Sequence, residues 1–216
     1  MEIRRTANAG VLLTLDDAKI LLDGVCREVN PYPATPANIG RELTAASVDA
    51  LLFTHSHPDH FDPVLSAQLN APIYGPEQAG EQISCPVSQD GEAAVGTVRI
   101  YAVSTRHMGH YGKTTQHQSY VVKGSKNLWF MGDASPMELK KLASFGKPDV
   151  LLIPYPYITT PAAMKLWEEL LPCRIVLLHM PPKNNDPEGI WQSAEAGMMQ
   201  LKAYLSVPEM GEILNF

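Results

Sequence analysis

The chain is poor in cysteine, in basic runs and in long apolar stretches, and each shortage removes a class of protein. Its 216 residues hold three cysteines, Cys26, Cys85 and Cys173. They are odd in number, far apart and without CxxC spacing, so neither a disulfide framework nor a cysteine zinc site is expected. Free thiols in a reducing compartment are the default reading. No apolar run approaches the ~20 residues that cross a bilayer. Residues 1–6 lead straight into alternating apolar positions rather than into a signal-peptide core and cleavage site. A cytoplasmic location without a membrane partner is therefore the expectation. The formal net charge is −6 and there is no Lys/Arg-rich run, which argues against a nucleic-acid partner.

What is present suits a globular protein. With 45% apolar residues, a chain of this length buries most of its apolar surface as one domain, residues 1–216. The densest chemistry lies in Thr54-His55-Ser56-His57-Pro58-Asp59-His60-Phe61-Asp62. Three of the seven histidines fall here, interleaved with carboxylates. An apolar run at 48–53 of strand length precedes the stretch. Asp62-Pro63 follows it, reading as an N-cap with Pro at the first position of a helix over 63–69. The ligand-type residues thus sit on a strand-to-helix loop that can turn several imidazoles and a carboxylate to one point. Such N and O donors suit zinc and similar ions.

The rest of the chain reads as two halves, each opening on a hairpin. Runs at 10–15 and 20–22 flank a turn at 16–19, and runs at 119–122 and 127–131 flank 123–126. Residues 25–41 are rich in Pro and Asn and read as a loop, and 84–91 reads as another. Short strands are expected at 71–75, 98–103, 149–153 and 174–178. Helical turns are expected at 77–82, and from Ser135 (N-cap) with Pro136 and Glu138 to a stop at Gly146. Pro154 to Tyr157 reads as a rigid turn, 161–171 as a helix, and 188–205 as a long closing amphipathic helix. Mixed sheets covered by helices follow from this order. Asp23, His55, His107, Asp133 and His179 all stand at or just past the C-terminal ends of apolar runs, where sheet proteins gather ligand sites.

The run His55-x-His57-x-Asp59-His60, followed by His107, Gly132-Asp133 and His179, resembles the signature of the metallo-β-lactamase superfamily of metal-dependent hydrolases. The resemblance spans Asp23 to His179. It implies an α/β (α+β) fold, a four-layer αββα sandwich of two mixed β-sheets flanked by helices. It also implies two divalent ions, zinc first, with manganese, iron or nickel as alternatives. By the resemblance, His55, His57 and His107 hold one ion, Asp59, His60 and His179 the other, and Asp133 bridges them. Asp23 would orient a ligand histidine through its other ring nitrogen. His107 is preferred over His110 as third histidine because it lies nearer the strand end. His110, His117 and Tyr111 are read as lining the substrate cleft.

The implied activity is hydrolysis of an ester, lactone or phosphoester bond in a small-molecule substrate by a hydroxide shared between the ions, with Asp59 and Asp133 as catalytic carboxylates. A glutamate in place of His57 would have pointed to the oxygen-reducing diiron branch. The compact chain resembles the group related to cytoplasmic sugar-lactonases and phospholipase-D-like phosphodiesterases. The alternatives are a non-catalytic metal-binding or regulatory protein that kept the fold, and a nuclease. Residues facing substrate are expected in 25–41, 108–117, 155–160 and 181–185, with Lys113 or Lys183 available to an anionic group. A homo-oligomer is left open, with Trp167 and Leu171 as the apolar pair that would serve it.

Overall fold

The computed structural model describes residues 1–78, 90–171 and 173–216, with the backbone of 85–86 between them. Two seven-stranded sheets form its centre. The first sheet is built from β1 (Glu2–Arg5), β2 (Val11–Leu15), β3 (Ala18–Leu22), β4 (Ala50–Leu52), β5 (Ile73–Gly75), β6 (Cys85–Pro86) and, at its outer edge beside β1, β14 (Ile213–Asn215). The second runs from β7 (Glu92–Val95) through β8 (Val98–Arg106), β9 (Gln116–Lys123), β10 (Asn127–Phe130), β11 (Val150–Pro154) and β12 (Arg174–Leu178) to β13 (Leu205–Ser206). Strands β3 to β6 are parallel, as are β10 to β13, and the remaining pairs are antiparallel. Strands between residues 2 and 86 supply the first sheet and those between 92 and 206 the second, apart from the returning β14.

Period-two alternation explains why so many strands read as unbroken apolar runs. Leu128 and Phe130, Val150 and Leu152, and Val176 and Leu178 point inward, where they meet Val11, Leu13, Ile20, Leu22 and Leu52 of the first sheet. Trp129, Leu151, Ile153, Ile175 and Leu177 point the other way, into a core shared with helices α3 (Leu139–Leu142), α4 (Pro156–Thr159), α5 (Pro161–Met164), α6 (Trp167–Leu170) and α7 (Ile190–Gln200). Leu21, Leu51 and Phe53 cover the outer face of the first sheet with α1 (Ala37–Ala45) and α2 (Pro63–Gln68). Three stacked apolar layers between four layers of structure are the αββα sandwich that the resemblance implied. Polar bonds lock the sheets together near one end: the Tyr120 hydroxyl donates to the Phe53 carbonyl at 2.7 Å, and Gln118 N to the Thr54 carbonyl at 2.9 Å.

Several local expectations are corrected. The Pro-rich stretch does not stay loop to residue 41, because Pro36 opens α1, which buries Ile39 and Leu43 one turn apart. Asp62 caps α2 as read, accepting from Val64 N and Leu65 N. Ser135 makes no side-chain cap; Pro136–Glu138 is a 3-10 turn that leads into the short α3. Pro156 starts α4 rather than closing a turn, and the helix expected at 161–171 is split into α5 and α6. The closing helix ends at Gln200. Its start is shifted because Gly189 is left-handed, and the Asp186 carboxylate takes the Ile190 and Trp191 amides instead. Leu205, in step with a helical repeat, pairs with β12 as strand. Of the expected turn at 77–82 and loop at 84–91, residues 79–84 and 87–89 lie outside those described. Cys26 and Cys173 are buried free thiols. Trp167 is no oligomer contact: it is 2% exposed in the outer core, with Leu171 packed against it. Among the described residues no helix is long and apolar enough to cross a membrane.

Candidate metal centre

The site forms where the C-terminal ends of five strands meet. Asp23 follows β3, the His55–His60 loop follows β4, His107 follows β8, Asp133 follows β10 and His179 follows β12. The backbone turns sharply as it leaves several of these strands. Asp23 (φ 44°), Gly132 (φ 52°) and His179 (φ 57°) are all left-handed, a conformation that costs an ordinary residue energy and persists where surrounding contacts enforce it. At Gly132 the enforcement is steric, since a Cβ there would stand 2.5 Å from Thr54 Cγ2 of the opposing sheet.

Three groups of neighbouring donors result: the triads His55, His57 and His107, and Asp59, His60 and His179, and a third, Asp23, His55 and His60, in which the Asp23 carboxylate is already taken up by hydrogen bonds. Asp133 stands between the two triads. Its Oδ2 lies 3.4 Å from His60 Nε2, 3.6 Å from His107 Nε2 and 3.7 Å from His179 Nε2. His179 Nε2 is also 3.1 Å from Asp59 Oδ2. The structure thus brings together all seven residues expected as ligands. His110 is not among them; it is exposed and stacks on Tyr111 with ring centroids 4.1 Å apart. Tyr111 in turn meets His57 and His107 edge-on at 4.9 and 5.6 Å, so the pair belongs to the mouth of the site. Lys113 is exposed.

The donor set fits divalent metal on its own hydrogen-bonding evidence. His55 Nε2, His60 Nε2, His107 Nε2 and Asp133 Oδ1 are buried with no partner among the described residues, a costly arrangement unless something else satisfies them. In the same three histidines Nδ1 is engaged, with Thr54 Oγ1 at 2.9 Å, Asp23 Oδ2 at 2.8 Å and the Met108 carbonyl at 2.8 Å. Ligand histidines are fixed this way, one nitrogen anchored and the other left as a lone pair. His57 is turned around: its Nε2 faces Thr115 Oγ1 at 3.3 Å, leaving Nδ1 for the cluster. Burial, followed by the neighbouring imidazoles, lowers the pKa of His55 and His57. They are therefore neutral, the form that ligates. Burial opposes charge on His60 as well, but the Asp133 and Asp23 carboxylates outweigh it and raise that group well above the usual range, so an ion at Nε2 would have to displace a proton from that nitrogen. Burial would likewise raise Asp59, yet the His179 hydrogen bond and nearby His60 hold it at about 2.

Two buried networks set these tautomers. Asp23, fully buried, accepts from Thr54 N at 2.8 Å, Thr54 Oγ1 at 2.6 Å and His60 Nδ1. Burial pushes this carboxyl up, while the bonds from His60 and Thr54 pull it back. All its partners are donors, so it is the carboxylate. With its hydrogen given to Asp23, Thr54 Oγ1 must accept from His55 Nδ1. One carboxylate therefore orients a histidine in each triad.

The second network corrects the reading of His117, which is 2% exposed and faces no cleft. Its Nε2 accepts the backbone N–H of Asp133 at 3.1 Å, so the proton sits on Nδ1 and goes to Thr105 Oγ1 at 2.8 Å. The Thr105 hydroxyl then serves Ser119 at 3.0 Å, and the Ser119 hydroxyl ends the relay on the Met131 carbonyl at 3.1 Å. Burial holds the His117 pKa down at about 3, consistent with a permanently neutral ring.

Sequence reasoning missed Thr54, Thr105, Thr115 and Ser119, whose hydroxyls are too common in strands to stand out. Tyr32 was missed as well. The 25–41 segment brings its ring edge-on against His179, centroids 4.5 Å apart.

The comparisons agree with this geometry. The family model described as a beta-lactamase superfamily domain matches residues 18–185. A metal-dependent hydrolase of the UPF0173 group from Cupriavidus necator is 25% identical, with all of this chain and 86% of the relative covered. Among solved structures, a possible metal-dependent hydrolase from Veillonella parvula superposes with a TM-score of 0.79 at 15% identity, covering 100% of this chain and 99% of that one. An isothiocyanate hydrolase from Delia radicum gut bacteria does so with a TM-score of 0.77 at 19% identity, again covering 100% and 99%. At such identities the structural likenesses establish the fold alone. With most of its length matched by the family model and its strand-end residues gathered as described, the chain belongs to the metallo-β-lactamase superfamily of metal-dependent hydrolases.

Proposed function

We propose that the protein is a dinuclear metallohydrolase that cleaves an ester, lactone or phosphoester bond in a small molecule. The observation that carries this reading is the pair of triads flanking Asp133, with buried, unpartnered nitrogen and oxygen atoms turned inward. His55, His57 and His107 would hold one ion, Asp59, His60 and His179 the other, and Asp133 both. Two cations there would supply Lewis acidity and bring the pKa of water towards neutrality. Zinc suits imidazole and carboxylate donors, as do manganese, iron and nickel.

The protein's own residues do the rest. Asp59 stays ionised; with one oxygen given to the ion, the other would orient the attacking water and take its proton. His117 accepts the Asp133 backbone N–H and so fixes the main chain from which that carboxylate projects between the triads. Burial, then the nearby acidic side chains Glu188 and Asp133, pushes the Tyr155 phenol up. It therefore stays protonated, as does Tyr32 for the same first cause. The two are hydroxyl donors suited to a polar group on the substrate. The acidic net charge disfavours a nuclease.

The test is metal analysis of the purified protein, followed by turnover of p-nitrophenyl esters, lactones and bis(p-nitrophenyl) phosphate. Asp133→Ala should bind fewer ions and lose turnover; a variant that keeps two ions and full rate would remove the bridging assignment. Two bound ions with no turnover across the panel would favour the non-catalytic alternative.

A further inference from the structure

A cavity of about 430 Å³ opens beside the candidate metal centre. Its wall begins one residue beyond each of two site residues, at Pro33 after Tyr32 and at Met180 after His179. Met180, Pro181, Trp191 and Met210 make it largely apolar. Arg5 and Lys183 give it positive charge, with the exposed Glu209 as its one acidic lining residue.

Arg5 is the unusual member. Its guanidinium donates to the carbonyls of Ala7, Pro208 and Asn8 at 3.3, 2.9 and 3.1 Å, and among the described residues no carboxylate lies within 4 Å of it. Carbonyls satisfy N–H groups but bring no counter-charge, and a desolvated cation without an anion is costly. Burial accordingly lowers its pKa. The nearby Cys26 does not compensate, because burial pushes that thiol up and keeps it neutral. Asn8, 1% exposed and also lining the cavity, has both side-chain polar atoms buried without a partner among the described residues. Lys183 places Nζ over the Trp191 ring at 5.0 Å, an arrangement that holds a cation at the rim of an apolar wall.

We infer that this cavity binds a small amphipathic anion, its apolar body against Trp191 and Met210 and its carboxylate or similar group supplying the counter-charge that Arg5 lacks. The Asn8 carbonyl accepts the backbone N–H of His179 at 3.3 Å, so an occupant at Asn8 and Arg5 reaches a residue of the metal centre through one hydrogen bond. Binding itself does not depend on the hydrolase reading; only its effect on turnover rests on it. The occupant is either the remote part of the substrate or a separate effector of the same chemistry.

Octanoate is a suitable probe, titrated calorimetrically into the intact protein and followed by Trp191 fluorescence, with octan-1-ol as the uncharged control. Saturable one-to-one binding is expected, at least about ten-fold tighter for octanoate than for the alcohol. Lys183→Glu, an exposed substitution that leaves the core untouched, should weaken it by a similar factor. Arg5→Met should abolish it, and Arg5→Lys, which keeps the charge, should restore it if the loss is electrostatic. Absence of saturable binding up to about 10 mM, equal binding of the alcohol, or indifference to Lys183→Glu would overturn the assignment. Where an ester is turned over, octanoate that raises KM identifies a substrate subsite, and octanoate that changes kcat alone identifies an effector site.

Discussion

Replacing Asp23 by Asn should disable a ligand in each triad at once. The exchange is nearly isosteric, and Asn tolerates the left-handed backbone that Asp23 adopts at φ 44°, so the loop need not move. The carbonyl of the new amide can keep the bond from Thr54 N. Its NH₂ then faces His60 Nδ1 and Thr54 Oγ1, which are 2.8 and 2.6 Å from the oxygen it replaces. Both partners must become acceptors. His60 moves its proton to Nε2, and Thr54 turns its hydroxyl towards His55 Nδ1, which drives that proton to Nε2 as well. The two nitrogens turned towards the metal positions are then blocked.

The alternative is to flip the amide, which sets its NH₂ against the Thr54 N–H, two donors face to face where nothing is exposed. Leaving a buried donor unsatisfied costs about 1–3 kcal/mol, and the protein will take whichever route is cheaper. Loss of a partner that orients a metal ligand usually weakens metal binding about 10–100-fold, which lies in the same range. Asp23→Asn should therefore fold and bind both ions about 10–100-fold more weakly. Competition against a chromophoric chelator reads the affinity, and ¹⁵N spectra of the histidine rings read the proton positions. Wild-type affinity at both positions, with Nδ1–H retained on His55 and His60, would refute the tautomer argument.

Three further outcomes follow from the same geometry. His107→Ala should lower the metal content from two ions towards one, whereas His110→Ala, on the exposed side of Tyr111, should leave both in place; elemental analysis separates them. Gly132→Ala puts a methyl group 2.5 Å from Thr54 Cγ2 on a backbone at φ 52°, so strain and overlap together should cost about 2–4 kcal/mol, seen as a lower urea midpoint. In metal-free protein, His117 titrates at about 3 when folded and near its ordinary value of about 6.5 when unfolded. The unfolded state therefore binds the extra proton between these values, and stability is lost as pH falls through that window by up to about 1.4 kcal/mol per unit. His117→Gln should flatten the fall in urea midpoint between pH 6.5 and 4, and an unchanged slope would show that the ring is not buried as described.

The parts of this molecule that could be read from sequence are those where residue type and position coincide. The core strands are legible because both their faces are buried, which makes 150–153 and 175–178 continuous apolar runs. The metal centre is legible because His and Asp recur at strand ends, where few structural reasons place them. Helix limits were less visible, since they depend on distant partners. Leu205 fits a helical repeat but is captured by β12, some thirty residues earlier. Trp167 precedes two glutamates and looks like surface, yet the outer core takes it. His117 is the instructive failure: a histidine among Thr, Gln and Ser reads as a polar cleft residue. Only the fold shows that those same polar residues run inward and close a relay on Asp133.

Each triad draws from both sheets: two ligands come from the loop after β4, and the third comes from the second sheet, His107 in one case and His179 in the other. Neither proposed ion position exists until the sheets dock, so metal binding there would be linked to assembly of the sandwich. The geometry is nevertheless set in advance by the protein. The Asp23 network fixes His55 and His60 from the first sheet, and the His117 relay fixes the backbone of Asp133 in the second. The two networks meet where Thr54 fills the space that a side chain on Gly132 would need. Thr54 serves both: its hydroxyl links Asp23 to His55 and sets that tautomer, its carbonyl takes Gln118 N across the interface, and its methyl group keeps position 132 a glycine. An unremarkable threonine before the first histidine is thus the point at which packing between the sheets becomes orientation of the ligands.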